Sequence, residues 1–145
     1  MKTIPDLIGC LKDYFCQKPE VIVDFIFNDG LLYIAVKNIG ARPAFKVYTQ
    51  FDKEIVGVAG EKKISDLALF KCLEFLPPQK EIRTFLDSSA SYFARNEPLM
   101  ISTRVTYEDS RKKRYVNKID HNLEIYKEIG YIRIRESGAQ EVGPQ

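Results

Sequence analysis

The residues best equipped for chemistry are few, and they are scattered along the chain. Four cations stand together at Arg111, Lys112, Lys113 and Arg114, with Tyr115 directly after them. Glu108-Asp109-Ser110-Arg111 reads as a turn, which puts the cations at a hairpin tip. A protruding basic loop beside an aromatic ring is one way to grip a phosphate backbone. Against this, loops collect charge because they are solvated, and the whole chain carries only +2. Arg111, Lys112, Lys113, Arg114 and Tyr115 are therefore the candidate binding residues, and nucleic acid ranks behind a protein partner.

Cys72 and His121 are the remaining reactive pair, and His121 is the chain's single histidine. A Cys–His nucleophile needs spatial contact and a third group to orient the base. Asp120 is next to His121, but neighbours on a strand point to opposite faces. No catalytic residue is assigned, and a non-enzymatic role is expected. Cys10, Cys16 and Cys72 include no Cys-x-x-Cys spacing, and one histidine supplies zinc poorly, so neither a metal nor a cofactor is expected. Gly57-Val58-Ala59-Gly60 lacks the Gly-Lys-Ser/Thr ending of a phosphate loop. No small-molecule substrate is inferred.

The elements that must position these groups alternate with period two, the pattern of strands with one buried face. Leu32, Ile34 and Val36 alternate with Tyr33, Ala35 and Lys37. Phe45, Val47, Thr49 and Phe51 alternate with Lys46, Tyr48 and Gln50. Asn38-Ile39-Gly40-Ala41-Arg42-Pro43 lies between these runs, a connection long enough to step from one sheet to a facing one. Val21, Val23, Phe25 and Phe27 share a face of an earlier strand, which Asn28-Asp29-Gly30 joins to the next as a hairpin. Leu67 to Phe75, Glu81 to Asp87, Leu99 to Tyr107 and Lys112 to about Tyr126 read as further strands. Lys53 to Asp66 reads as a loop or weak edge strand. Ser88 to Pro98 reads as a loop with a helical turn, where Tyr92 and Phe93 plug the end of the core. Ile129 to Arg135 alternates again, as an extra edge strand or an arm. Ahead of all these, Ile4, Leu7, Ile8, Leu11, Tyr14 and Phe15 recur at helical spacing over residues 3 to 18. That helix is expected to pack back on the sheets, with a dimerisation helix or an amphipathic segment lying on a membrane as the alternative readings.

Val36-Lys37-Asn38-Ile39-Gly40, then Pro43-Ala44 and an alternating strand, resembles the immunoglobulin-like modules of bacteria and archaea, with CARDB-like adhesion domains the nearest group. Phe75-Leu76-Pro77-Pro78-Gln79-Lys80 is similar to that group's Leu-Pro-Pro-Gly corner, with Gln79 in place of Gly. The resemblance covers roughly residues 20 to 126 by strand count. It implies a two-sheet antiparallel sandwich and says little about function, because such sandwiches host many roles.

The reading is thus an all-β, immunoglobulin-like sandwich of about seven or eight strands with a short N-terminal amphipathic helix. Residues 1–19 hold the helix, 20–135 the sandwich and 136–145 a disordered tail. At 145 residues one domain with one core is the default. The expected role is a protein-interaction or assembly module, by self-association or with a protein partner. The alternative is nucleic-acid or phosphate-backbone binding through the tip 111–114. No apolar run reaches membrane-spanning length. The sequence shows no secretory leader and no Asn-x-Ser/Thr acceptor, and its cysteines are odd in number, so a cytoplasmic location is expected. Thiol titration of protein taken from intact cells should find all three cysteines reduced; a stable intramolecular disulfide would overturn that location.

Overall fold

The computed structural model describes residues 17–129. Strand β1 (Val21–Asn28) and strand β2 (Leu31–Asn38) form an antiparallel hairpin. Asp29 and Gly30 make the two-residue turn, with φ of 49° and 78°. Two successive left-handed residues match the right-handed twist of the flanking strands, and Asp-Gly tolerates that conformation. Strand β7 (Glu81–Ser88) pairs with the other side of β2, giving a three-stranded sheet ordered β1-β2-β7.

The chain crosses to a second sheet after Asn38, as the length of the Ile39–Pro43 connection predicts. Strand β3 (Ala44–Phe51) is central there, between β6 (Leu73–Leu76) and β8 (Met100–Glu108), with β9 (Arg114–Asn122) beyond β8. All pairings are antiparallel. Val21, Val23, Phe25, Leu32, Ile34 and Val36 from one sheet share a core with Val47, Ile101, Val105 and Tyr107 from the other. Burying each large apolar side chain contributes roughly 1.5–3 kcal/mol relative to exposure. The fold is thus all-β, with two antiparallel sheets on one hydrophobic core.

Between β3 and β6 the chain makes a small hairpin, β4 (Val56–Gly57) with β5 (Lys62–Lys63), where a loop or weak edge was expected. The expected strand Leu67 to Phe75 is mostly something else. A 3₁₀ turn (Ile64–Asp66) leads into helical turn α1 (Ala68–Lys71), and only Leu73–Leu76 is extended. Phe70 explains the change: the turn swings its ring inward, where it is buried and meets Phe51 edge-on at 4.9 Å. A second helix, α2 (Ser89–Ala94), follows β7, and its Ser88 cap accepts the Ser91 N–H. Tyr92 is fully buried and donates its hydroxyl to the Pro98 carbonyl, so it plugs the core as expected.

The final strand is also shorter than the predicted Lys112 to Tyr126. β9 ends at Asn122, whose Oδ1 accepts the Glu124 N–H, and residues 124–129 are helical. A short polar side chain bonding forward to the backbone starts a helix here as an N-cap does. Ile129 is therefore helical, and the rest of the predicted arm to Arg135 lies outside the described residues, with the tail 136–145. The predicted N-terminal helix also lies outside them, apart from Gln17 and Lys18, which are not helical.

One strand departs from simple alternation. Lys46 has φ of 53°, and the β3–β8 register shifts between Phe45 and Tyr48. This bulge inserts one residue, so Ala44 and Val47 both point inward. Phe45, expected beside Val47, instead lies half-buried against the Phe75 ring at 5.4 Å.

The crossover is held by Asn38, which is fully buried. Its Oδ1 accepts the N–H groups of Glu20 (3.2 Å) and Gly40 (2.9 Å), and its Nδ2 donates to the carbonyls of Arg42 (2.8 Å) and Leu76 (3.0 Å). The Pro77-Pro78-Gln79-Lys80 turn closes over it, with Lys80 N–H donating to Pro77 O. Gln79 takes the left-handed conformation, φ 66°, at the position where Gly is usual in the corner it resembles. Its backbone N–H donates to Asn38 O, and its amide donates to the carbonyls of Ile39 and Gly40. Gly40 tolerates no side chain, because a Cβ there would sit 2.4 Å from Lys18 O and 2.5 Å from Glu20 N. Asn38→Ala strands several of these buried groups at about 1–3 kcal/mol each, so urea unfolding should show a loss of roughly 3 kcal/mol or more. A loss below about 1 kcal/mol would contradict this role for the amide.

Candidate functional site

The β8–β9 tip is where the sequence puts it. Arg111, Lys112, Lys113 and Arg114 are all exposed. The loop's shape, however, comes from Asp109. Its Oδ1 accepts the backbone N–H groups of Arg111 (2.8 Å) and Lys113 (3.0 Å), and its Oδ2 accepts the Tyr115 hydroxyl (2.9 Å). Partial desolvation pushes this carboxyl up, but the hydrogen bonds from Lys113, Tyr115 and Arg111 outweigh it and hold Asp109 below its ordinary value. Tyr115 is no free stacking platform. Its ring stacks on Tyr107 at 5.5 Å and carries the Lys113 ammonium at 5.5 Å. Arg114 stands 3.7 Å from Glu108. Two of the four cations thus already have company, which leaves Arg111 and Lys112 as the outermost charges.

Cys72 and His121 do not meet. Cys72 precedes β6 and His121 is on β9, at opposite edges of a sheet with β3 and β8 between them. Three strand spacings amount to about 14 Å. The Cys72 thiol faces Glu74, at 3.5 Å from Oε1. Asp120 and His121 point to opposite faces, as alternation predicts. Asp120 accepts the Ser102 hydroxyl on the outside, while His121 turns inward, edge-on to Phe25 at 4.9 Å and 3.3 Å from Thr103 Oγ1. Desolvation pulls the imidazole below its ordinary value, against weaker opposition from Asp24, Asp120 and a hydrogen bond to the Val23 backbone.

His121 belongs to a row of side chains that seals the β1 edge. Asn117 Nδ2 donates to Val21 O at 2.7 Å and the Tyr126 hydroxyl donates to Phe25 O at 3.0 Å, with the His121 ring between them against Phe25. Residues 21, 23 and 25 face the same way along the edge. The Val21 and Phe25 carbonyls are thereby satisfied by side chains instead of by another strand.

The feature that sequence reading missed is the outer face of the four-stranded sheet. Register places side chains there in cross-strand rows over β3, β8 and β9. Tyr48, Thr106 and Val116 form one row. Gln50, Arg104 and Lys118 form the next. Asp52, Ser102 and Asp120 form the third, bound together because Ser102 takes Asp52 Oδ1 on its N–H and gives its hydroxyl to Asp120. Tyr48 is 45% exposed, Val116 48% and Phe75, on β6, 54%. Each strand's alternation names its outward residues, but only the register reveals that they line up.

Among the described residues, no group of three or more His, Cys, Asp or Glu side chains is placed to hold a metal, and no helix is long and apolar enough to cross a membrane. A family model described as a domain of unknown function matches residues 15–127. No curated protein and no solved structure matches the chain significantly.

The sign of the His121 shift gives a pH prediction. A histidine whose folded value is depressed binds its proton more readily when unfolded, so stability is lost as pH falls from about 6.5 toward the lower folded value. Proton NMR of the single imidazole should give a midpoint below 6.5 in the folded protein. The acid-side loss of stability should shrink in His121→Asn. A midpoint at or above the ordinary value would contradict the desolvation of this ring.

Proposed function

The chain belongs to the family described as a domain of unknown function (DUF8453), and from that premise we propose a non-enzymatic protein-interaction module that works through the outer face of its four-stranded sheet. One observation carries the reading: Tyr48, Phe75 and Val116 are large apolar side chains standing about half exposed on that face. Contiguous apolar surface rimmed by charge is what protein contacts use. The strand order β1-β2-β7 against β6-β3-β8-β9 supports an immunoglobulin-like arrangement in which the chain crosses to the second sheet for β3 and β6 and returns as β7 to pair with β2. The likeness to CARDB-like domains belongs to the same proposal, and it rests on the Asn38-Ile39-Gly40 crossover and the Pro77-Pro78 corner. A cytoplasmic address fits the free thiol of Cys72.

The basic tip is the competing contact, supported by its four exposed cations. Affinity capture from native lysate, with and without nuclease, separates the two. The sheet-face reading expects a nuclease-resistant protein partner that is lost from a Tyr48→Asp, Val116→Asp variant whose melting temperature is unchanged. Retention that survives those substitutions, but needs nucleic acid and falls with salt and with neutral residues at Arg111 to Arg114, would move the function to the tip.

A further inference from the structure

We infer that the outer face of the four-stranded sheet binds a second copy of this chain, face to face about a two-fold axis. This rests on the preceding reading of the face as a protein contact, and it names the partner.

The rows of charge carry the inference. Arg104 and Lys118 are directly opposed across β8 and β9. Both are exposed, and neither side chain has an ion-pair or hydrogen-bond partner among the described residues. Like charges directly opposite each other on a sheet are destabilising, so an isolated copy keeps an unrelieved repulsion here. The adjoining row is its opposite in sign, with Asp52 directly after β3 and Asp120 on β9, also exposed. Two positive charges lie beside two negative charges, one residue pair apart along the strands.

Such a pattern complements itself. An axis running across the strands between the two rows would lay each strand antiparallel on its own counterpart. Lys118 of one copy then meets Asp120 of the other, and Arg104 falls between the second copy's Asp52 and Asp120. Both copies make the same contacts, as an isologous interface requires. The same operation carries the Tyr48, Thr106 and Val116 row over the far end of the partner's sheet, where Met100 is 52% exposed. The face is not flat: depressions of ≈ 370 Å³ and ≈ 230 Å³ flank Arg104. Sheets stack this way with their strands within about 30° of each other. Three strands of eight or nine residues with the four-residue β6 beside them present roughly 500 Å² per copy, which belongs to the weak, concentration-dependent class of interface. Alternating sign also argues against a polyanion on this face, because Asp52, Asp120 and Glu108 would face its phosphates.

The test is analytical ultracentrifugation of the full chain. The wild type should show a reversible monomer–dimer equilibrium that weakens with added salt. Lys118→Glu and Asp120→Lys each place like charges together in both halves of the interface, and each should weaken dimerisation by about 100-fold. Mixing the two single variants should restore the dimer as a heterodimer, and the double variant K118E/D120K should restore the homodimer. Unchanged melting temperatures exclude misfolding as the cause. A wild type that stays monomeric at its solubility limit overturns the inference. So does a dimer indifferent to both reversals, or reversals whose combination fails to restore association. If any of these occurs while capture still depends on Tyr48 and Val116, the face remains a protein contact for a different chain.

Discussion

A primary amide taken out of water must find partners for its carbonyl and for both of its N–H bonds, and Asn38 finds them at four residues in three segments. It joins the lead-in to β1 at Glu20, the crossover at Gly40 and Arg42, and the end of β6 at Leu76. The lead-in and the crossover also bond each other through Ile39 N–H to Glu20 O and Ala41 N–H to Lys18 O, while Leu76 belongs to the facing sheet. The amide therefore fixes how the two sheets sit on each other at this end, where strand pairing alone does not. An unpaired buried amide is costly, so the arrangement is close to all-or-none. Gly40 belongs to the same constraint, since only a residue without Cβ lets the crossover lie against the Lys18–Glu20 backbone. So does Gln79, which accepts a left-handed backbone while its side chain holds the carbonyls of Ile39 and Gly40.

With that end fixed, the core side chains set which surfaces are left over. Val47, Ile101, Val105 and Tyr107 commit one face of the four-stranded sheet to the interior. The bulge at Lys46 lets β3 present Ala44 and Val47 inward while Phe45 turns aside to Phe75. What remains outside is the sequence of rows from Tyr48 to Asp52, and its order is set by the β3–β8–β9 register. The chemistry of the outer face is therefore a by-product of the inner one. A one-residue slip would bury Arg104 and Lys118 and expose the core.

Much of this was legible in the residues. The β1–β2 hairpin could be read because Asn28-Asp29-Gly30 permits the turn and both strands alternate without a break. The Asn38-to-Pro43 crossing could be read because it is too long for a tight hairpin. The helical turn at Ala68–Lys71 could not, because Leu67, Leu69 and Phe70 satisfy either period over so short a stretch, and the ring of Phe51 that decides the matter is distant in sequence. The Lys46 bulge could not be read either, since lysine carries no turn signal of its own. The basic tip was found by composition, yet Asp109 as its organiser and the committed ring of Tyr115 were not, because both depend on side-chain geometry. The rows on the outer face needed a pairing between strands some fifty residues apart.

The sealed edge of β1 has a consequence for how this protein behaves when crowded. Sheets polymerise when each new strand leaves another open border for the next arrival. Here Asn117 and Tyr126 occupy carbonyls on one border of the three-stranded sheet, and at the other the Leu86 carbonyl is already taken by Val58. Both flanks of the three-stranded sheet are thus partly spoken for, and an incoming strand would have to displace native bonds before it could extend this sheet.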